Sequence, residues 1–173
     1  MLTEFSYTNA NINWFYEGKK IEKKLNNIID AVVDEQGYVK VETGINFITQ
    51  AGYFYDYYGN ILIRYDLEAG EVEWAKNKLV FSELVQVGYF PSKNVTLIIY
   101  ENGQKLSALD SEGNKIFELD SPKEFSLQYF QEFPNYVAIV GDGEENQADK
   151  YGRTQFNFKL DFETKKFVKL GLA

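Results

Sequence analysis

The chain contains no cysteine and no histidine. Without cysteine there is no disulfide, no thiolate metal site and no cysteine nucleophile. Small secreted domains often carry disulfides, so a reducing compartment is expected, and the cytoplasm is the expected location. Without histidine the chain loses the usual general base near neutral pH and the commonest metal ligand. Serine–histidine and cysteine–histidine catalysis are excluded, as are zinc sites built on those ligands. No G-x-S-x-G elbow, phosphate-binding glycine loop or H-E-x-x-H motif occurs either. The expectation is a protein that is not an enzyme and needs no cofactor. Paired carboxylates for glycoside hydrolysis remain the one catalytic alternative, and no Asp/Glu pair has a separation that sequence can define.

Apolar runs are short. None approaches the roughly 18 residues of a membrane-spanning helix, and the start, Met1-Leu2-Thr3-Glu4-Phe5-Ser6, lacks the basic and apolar regions of a signal peptide. No membrane association is expected. Basic residues are outnumbered, 18 Lys and Arg against 26 Asp and Glu, for a net charge of −8. That balance disfavours nucleic acid, whose phosphates need neutralising cations, and favours a basic partner. Only three prolines occur, Pro91, Pro122 and Pro134, each in a polar stretch, and they read as loop markers.

Aromatic residues, in contrast, are plentiful: 14 Phe, 13 Tyr and 2 Trp. Together with Val and Ile they favour pleated, half-buried surfaces. At 173 residues the chain fits one domain that buries roughly 70% of its extended surface. Short strand-like segments run through it, including Tyr38 to Glu42, which alternates, Tyr53 to Tyr57, Ile61 to Asp66, Val95 to Tyr100 and Thr154 to Leu160. Thr43-Gly44 reads as a break after the first of these. Asn102-Gly103 is the clearest hairpin signal, of the type I′ kind. Residues 19–33 admit two readings. Ile21, Leu25, Ile28, Ile29 and Val32 fit one helix face, but the segment also fits two strands, and strands are favoured.

A glutamate-bearing turn recurs at Glu17, Glu68, Glu112 and Glu163, positions 51, 44 and 51 residues apart. It divides the chain into a partial unit at about 1–25 and units at 26–75, 76–120 and 121–171, each full unit holding about four strands. The expected fold is all-β, in consecutive antiparallel four-stranded units. Leu106 to Ile116, with its Asp110-Ser111-Glu112-Gly113-Asn114 turn, resembles the repeats of β-propellers. That resemblance implies about three and a half blades, in a ring that is incomplete, open or closed by dimerisation. A single curved sheet or sandwich is the alternative.

Candidate binding residues come from two places. The polar loop at 141–153 supplies Asp142, Glu144, Glu145, Asp149 and Tyr151. It does not match an EF-hand calcium loop, because Gln147 and Arg153 stand where glycine and glutamate are needed, so no metal is expected. It reads either as a solvated hairpin tip or as a loop that presents carboxylates to a basic partner. Tyr53, Tyr55 and Tyr57 alternate along one strand and share a face, either as exposed anchors or as a buried layer. Asp30 and Arg64, each within an apolar run, face either a common cavity or solvent. Trp14 and Trp74 read as core. In size, acidity and lack of catalytic residues the chain is similar to small cytoplasmic immunity proteins. That resemblance implies inhibition of a basic toxin through protein–protein contacts, by a monomer or homodimer. The alternative function is carbohydrate or small-molecule binding by a propeller-like domain.

Overall fold

A computed structural model describes residues 2–133 and 135–173; Pro134, one of the three loop-marking prolines, lies outside them. The chain is all-β, and every described strand pairs antiparallel with neighbours in sequence. It folds into two compact units. One holds residues up to Val80 with Pro91–Asn94 and Ser111–Gly113. The other holds Phe81–Phe90, Val95–Asp110 and Asn114–Ala173.

The first unit begins with a three-stranded sheet: β1 (Thr3–Tyr7), β2 (Asn11–Tyr16) and β3 (Lys19–Lys24). Alternation in β2 buries Ile12 and Trp14 completely. Glu17 and Gly18 form its two-residue turn with φ of 50° and 73°, the left-handed pair that matches strand twist. Residues 19–33 form strands and not a helix. Ile21 pairs opposite Trp14, and Asn27 in the left-handed region (φ 58°) starts the next strand.

A six-stranded sheet follows: β4 (Ile28–Val33), β5 (Val39–Ile45), β6 (Ile48–Tyr55), β7 (Ile61–Asp66), β8 (Glu71–Trp74) and β9 (Lys78–Val80). The repeat spacing predicts about four strands over 26–75, and the sheet has more. Thr43-Gly44 does not break its strand; β5 bulges there and continues to Ile45. A Cβ on Gly44 would overlap the Ile48 carbonyl oxygen, so only glycine lets β5 and β6 close this tightly. Asn46 and Phe47 (φ 52° and 63°) make the turn, and no glycine marks it in sequence. Ile12, Trp14, Ile28, Ala31, Val39, Val41 and Tyr55 form a common core between the two sheets.

The second unit contains two four-stranded meanders. The first is β10 (Gln86–Phe90), β11 (Val95–Tyr100), β12 (Lys105–Leu109) and β13 (Lys115–Asp120). The second is β14 (Phe125–Phe133), β15 (Tyr136–Gly143), β16 (Gln155–Asp161) and β17 (Lys166–Leu172). Every residue of β11 is buried, Thr96 included, so burial along it does not alternate. Leu97, Ile99, Leu106, Leu127, Val137 and Ile139 pack into one core shared by both sheets. The β11–β12 hairpin lies where Asn102-Gly103 predicts it, but its turn is not type I′. Glu101, Asn102 and Gly103 all have positive φ (51°, 51° and 85°) in a four-residue loop. The neighbouring backbone fixes that shape: Leu127 N donates to Gly103 O at 2.9 Å, and Glu101 N to Ser82 O at 2.8 Å.

A second series of turns is built on aspartate and shares only its Asp110 member with the glutamate series. Asp34, Asp56, Asp110 and Asp149 each open a D-x-x-G turn whose glycine has φ of 86°, 84°, 82° or 78°. In each, the aspartate Oδ1 accepts from the backbone N–H four residues on, at 2.9 Å (Tyr38), 2.8 Å (Asn60), 2.9 Å (Asn114) and 2.9 Å (Arg153). The aspartate N–H donates back to the carbonyl of that same residue. This is a three-residue hairpin loop with glycine in the left-handed position, locked by an Asx turn. Asp161 and Asp66 cap related turns through the N–H groups of Thr164 and Ala69, at 3.0 and 2.9 Å.

Replacing Asp56 with alanine leaves turn N–H groups without their charged acceptor. Asp56→Ala is therefore expected to cost about 1–3 kcal/mol. Glu68→Gln, at one of the glutamates that mark the repeat, is expected to stay within about 0.5 kcal/mol. Urea unfolding of the two variants checks both.

Candidate functional site

The 141–153 loop is held by its own side chains. Asp142 belongs to β15, opposite Gln155, and its Oδ1 accepts from the Thr154 hydroxyl at 2.6 Å. Gln147 Nε2 donates to Glu124 Oε2 at 2.6 Å, fixing the one-turn 3-10 helix Glu145–Gln147. Asp149 Oδ1 caps Tyr151 N and Arg153 N, while its Oδ2 receives the Arg153 guanidinium at 2.9 and 2.7 Å. Those bonds, the Arg153 side chain first among them, hold the Asp149 carboxyl below the usual range. Asp142 and Asp149 are thus engaged within the loop, while Glu144 and Glu145 are exposed. Tyr151 is 71% exposed. Two cations flank its ring, Lys150 Nζ at 4.9 Å and the Arg153 guanidinium at 5.4 Å from the centroid. Among the described residues no group of three acidic ligands is arranged to hold a metal ion.

Tyr53, Tyr55 and Tyr57 have different surroundings. Tyr53 and Tyr55 share a face, with rings stacked at 6.1 Å, and Tyr55 is 2% exposed. Burial pushes its hydroxyl pKa up to about 12. Of the two readings, the buried layer describes Tyr55, while Tyr53 is half-buried. Tyr57 has left the strand and lies in the Asp56 turn. Its ring meets Tyr16 at 4.4 Å, Tyr58 at 4.7 Å and Tyr38 at 6.3 Å. Burial raises the Tyr16 and Tyr38 hydroxyls above their ordinary value. Trp14 Nε1 donates to the Tyr57 carbonyl at 2.8 Å and fastens that turn to β2.

Asp30 and Arg64 are both exposed and face no shared cavity. Strict alternation would put Asp30 on the face of Ile28. A bulge between them shifts the alternation, sending Ile28 and Ala31 inward and Asp30 outward. Arg64 lies 6.0 Å over the Tyr53 ring and joins a charged surface recess with Asp66, Glu71, Glu73 and Lys78. Lys78 and Glu71 pair there at 2.7 Å. Trp14 and Trp74 are core residues, 0% and 3% exposed.

Each unit also contains a tyrosine–glutamate–lysine lock. Tyr65 lies across Gly52, where any Cβ would overlap its ring, and its hydroxyl donates to Glu42 at 3.4 Å. Lys40 pairs with that glutamate at 2.5 Å. Burial, then the Glu42 charge, raises the Tyr65 hydroxyl far above its ordinary value. In the second unit the Tyr100 hydroxyl donates to Glu118 at 2.6 Å, and Lys115 pairs with the same carboxylate at 2.7 Å. The Lys115 and Tyr100 hydrogen bonds lower the Glu118 pKa to about 2, while burial raises Tyr100 to about 12. These clusters tie strands together, and their polar atoms are spent on one another.

Two surface features were not legible as sites. Tyr16, Tyr38, Tyr57 and Tyr58 come from three hairpin turns and meet only in the fold. At the β5–β6 tip, Phe47 is 90% exposed, between Ile45 at 55% and Ile48 at 70%.

No protein-family model and no curated protein matches the chain. Among solved structures it is similar to the C-terminal WD40 domain of Sif2, with 7% identity and a TM-score of 0.47 over 98% of this chain and 58% of that one. It is similar to the dihydro-heme d1 dehydrogenase NirN, with 11% identity and a TM-score of 0.47 over 95% of this chain and 43% of that one. Hsv2 of Kluyvelomyces marxianus aligns with 9% identity and a TM-score of 0.33, covering 96% of this chain and 92% of its own. The chain thus spans little more than half of the Sif2 domain and less than half of NirN. The all-β assignment rests on the strand pairing itself.

Because the folded Glu118 pKa is depressed from 4.5 to about 2, its contribution to stability is present above pH 4.5 and is lost as pH falls toward 2. Glu118→Gln is expected to flatten the acid limb of melting temperature against pH between about 5 and 2 and to lower stability near neutral pH. Thermal melts across that range check the sign.

Proposed function

We propose that this chain is a non-enzymatic binding module for a basic protein partner. The observation that carries the reading is Tyr151, 71% exposed on a loop whose own aspartate and arginine hold it in shape. A large aromatic side chain on a pre-shaped loop loses little freedom on binding, and exposed tyrosine is a common interface anchor. Glu144 and Glu145 are exposed on the same loop. With a net charge of −8, they favour encounter with a basic surface. Asp142 and Asp149 shape the loop in this reading and are not its contact residues. The narrower form of the proposal is an immunity-type inhibitor of a basic toxin, acting in the cytoplasm. The carbohydrate reading has less support, since it draws on a tyrosine row in which Tyr55 is buried.

Calorimetry against the product of the adjacent gene tests the proposal. Tyr151→Ala and the double reversal Glu144→Lys/Glu145→Lys are each expected to weaken binding about tenfold or more, the reversal mainly through a slower, less salt-dependent association rate. Unchanged affinity in both variants removes the loop from the interface. Absence of any complex removes the immunity form.

A further inference from the structure

Three hairpin turns of the first unit place a tyrosine cluster at one end of their sheets. The β2–β3 turn brings Tyr16 and Glu17, the β4–β5 turn brings Asp34, Glu35 and Tyr38, and the β6–β7 turn brings Asp56, Tyr57 and Tyr58. The rings touch: Tyr16 lies 4.4 Å from Tyr57 and 5.0 Å, edge-on, from Tyr58, while Tyr38 lies 6.3 Å from Tyr57. Tyr58 is 53% exposed, and Tyr16, Tyr38 and Tyr57 are half-buried. Glu17 and Glu35 are exposed on the same turns. Asp34 and Asp56 cap backbone N–H groups there, Asp34 those of Gln36 and Tyr38 and Asp56 that of Asn60. Cations on the adjoining β3 are partly engaged: Lys20 pairs with Glu22 at 3.2 Å, and Lys23 Nζ lies 5.8 Å over the Tyr55 ring. Lys19 is exposed opposite Tyr16.

Packing the turns together needs apolar bulk, and phenylalanine or leucine would serve. Four phenols instead give electron-rich ring faces with a surplus of carboxylates around them. Cations gain from both: the ring quadrupole attracts them within about 6 Å of a centroid, and the carboxylates add a long-range pull. An anionic ligand would be repelled by Glu17, Asp34, Glu35 and Asp56.

We infer that the Tyr16–Tyr38–Tyr57–Tyr58 cluster is a docking site for a lysine- or arginine-bearing segment of a protein partner. The inference deepens the proposed function by naming a second contact surface, and it rests on the reading that the partner is basic.

The test is a tyrosine-fluorescence titration of the full chain with tetralysine and tetraarginine peptides, across a NaCl series. Saturable binding is expected. Tyr58→Leu, which keeps apolar bulk without a ring, is expected to weaken it about tenfold. Tyr58→Phe keeps the ring and is expected to retain most of it. Glu17→Gln/Glu35→Gln is expected to weaken binding and to reduce its salt dependence. No saturable binding overturns the inference. So does equal affinity in wild type and Tyr58→Leu, since the peptides would then feel only the net charge. The Glu144→Lys/Glu145→Lys chain separates the two readings. If it loses the protein partner while Tyr58→Leu keeps both partner and peptide, the cluster assignment falls and the proposed function stands. If the peptides bind through Tyr58 but no basic protein does, the proposed function falls and the docking role of the cluster falls with it, leaving a site for free cations only.

Discussion

Among the described residues, a strand in this chain hydrogen-bonds only to strands next to it in sequence. Without a crossover to correct a slipped pairing, each turn sets the register of the strand that follows. A slip of one residue would exchange the buried and exposed faces of that strand. At four places the D-x-x-G turn is the device that prevents it. Its glycine takes a backbone conformation that costs other residues energy, and its aspartate satisfies N–H groups that the tight reversal would orphan. In three of the four turns the residue after glycine also bonds the second carboxylate oxygen: Asn60 at 2.8 Å, Asn114 at 3.0 Å and Arg153 at 2.7 Å. The same chemistry that closes hairpins elsewhere thereby stiffens the 141–153 loop, so a fold element doubles as the support of the candidate interface.

Bulges supply the second kind of control. Between Ile28 and Asp30 one extra residue sends a carboxylate outward that strict alternation would have buried. Burying it unpaired would cost several kcal/mol, so the bulge lets an apolar strand carry a charge with little penalty. The carboxylates of the strand locks, half-buried at Glu42 and exposed at Glu118, are paired. Glu42 and Glu118 each accept from a tyrosine hydroxyl and from a lysine, which compensates for partial removal from water. The two locks share this chemistry without sharing a sequence motif, because their partners come from different strands.

Function, in this reading, belongs to what the scaffold leaves outward. The aromatic content that drives the β-fold also furnishes the surface, and burial decides which role each ring takes. Tyr55 and Tyr65 are core; Tyr151 and Tyr58 are exposed. An acidic chain with exposed phenols is suited to cationic surfaces, through long-range attraction and short-range ring contacts together. Both candidate surfaces fit that description and rest on different turns.

Composition and local pattern alone determined the all-β class, the antiparallel meanders and the positions of most strands, since β-branched and aromatic alternation and turn residues act over a few neighbours. For residues 19–33 the pattern favoured strands but also fitted a helix face, and the pairing of Ile21 opposite Trp14 decided between them. The D-x-x-G series at Asp34, Asp56, Asp110 and Asp149 was equally present in the sequence, but the recurring glutamates obscured it. Tertiary structure alone decided the rest. The Asn46-Phe47 turn carries no glycine, and the close approach at Gly44 that shapes it is visible only once both strands are placed. Asp149 reads as a free carboxylate until its oxygens are seen to be engaged by Arg153 and the turn backbone. Tyr16, Tyr38 and Tyr57 lie far apart in sequence, and only the convergence of three turns makes them neighbours. Side-chain role depends on burial and on partners distant along the chain, and neither is a local property.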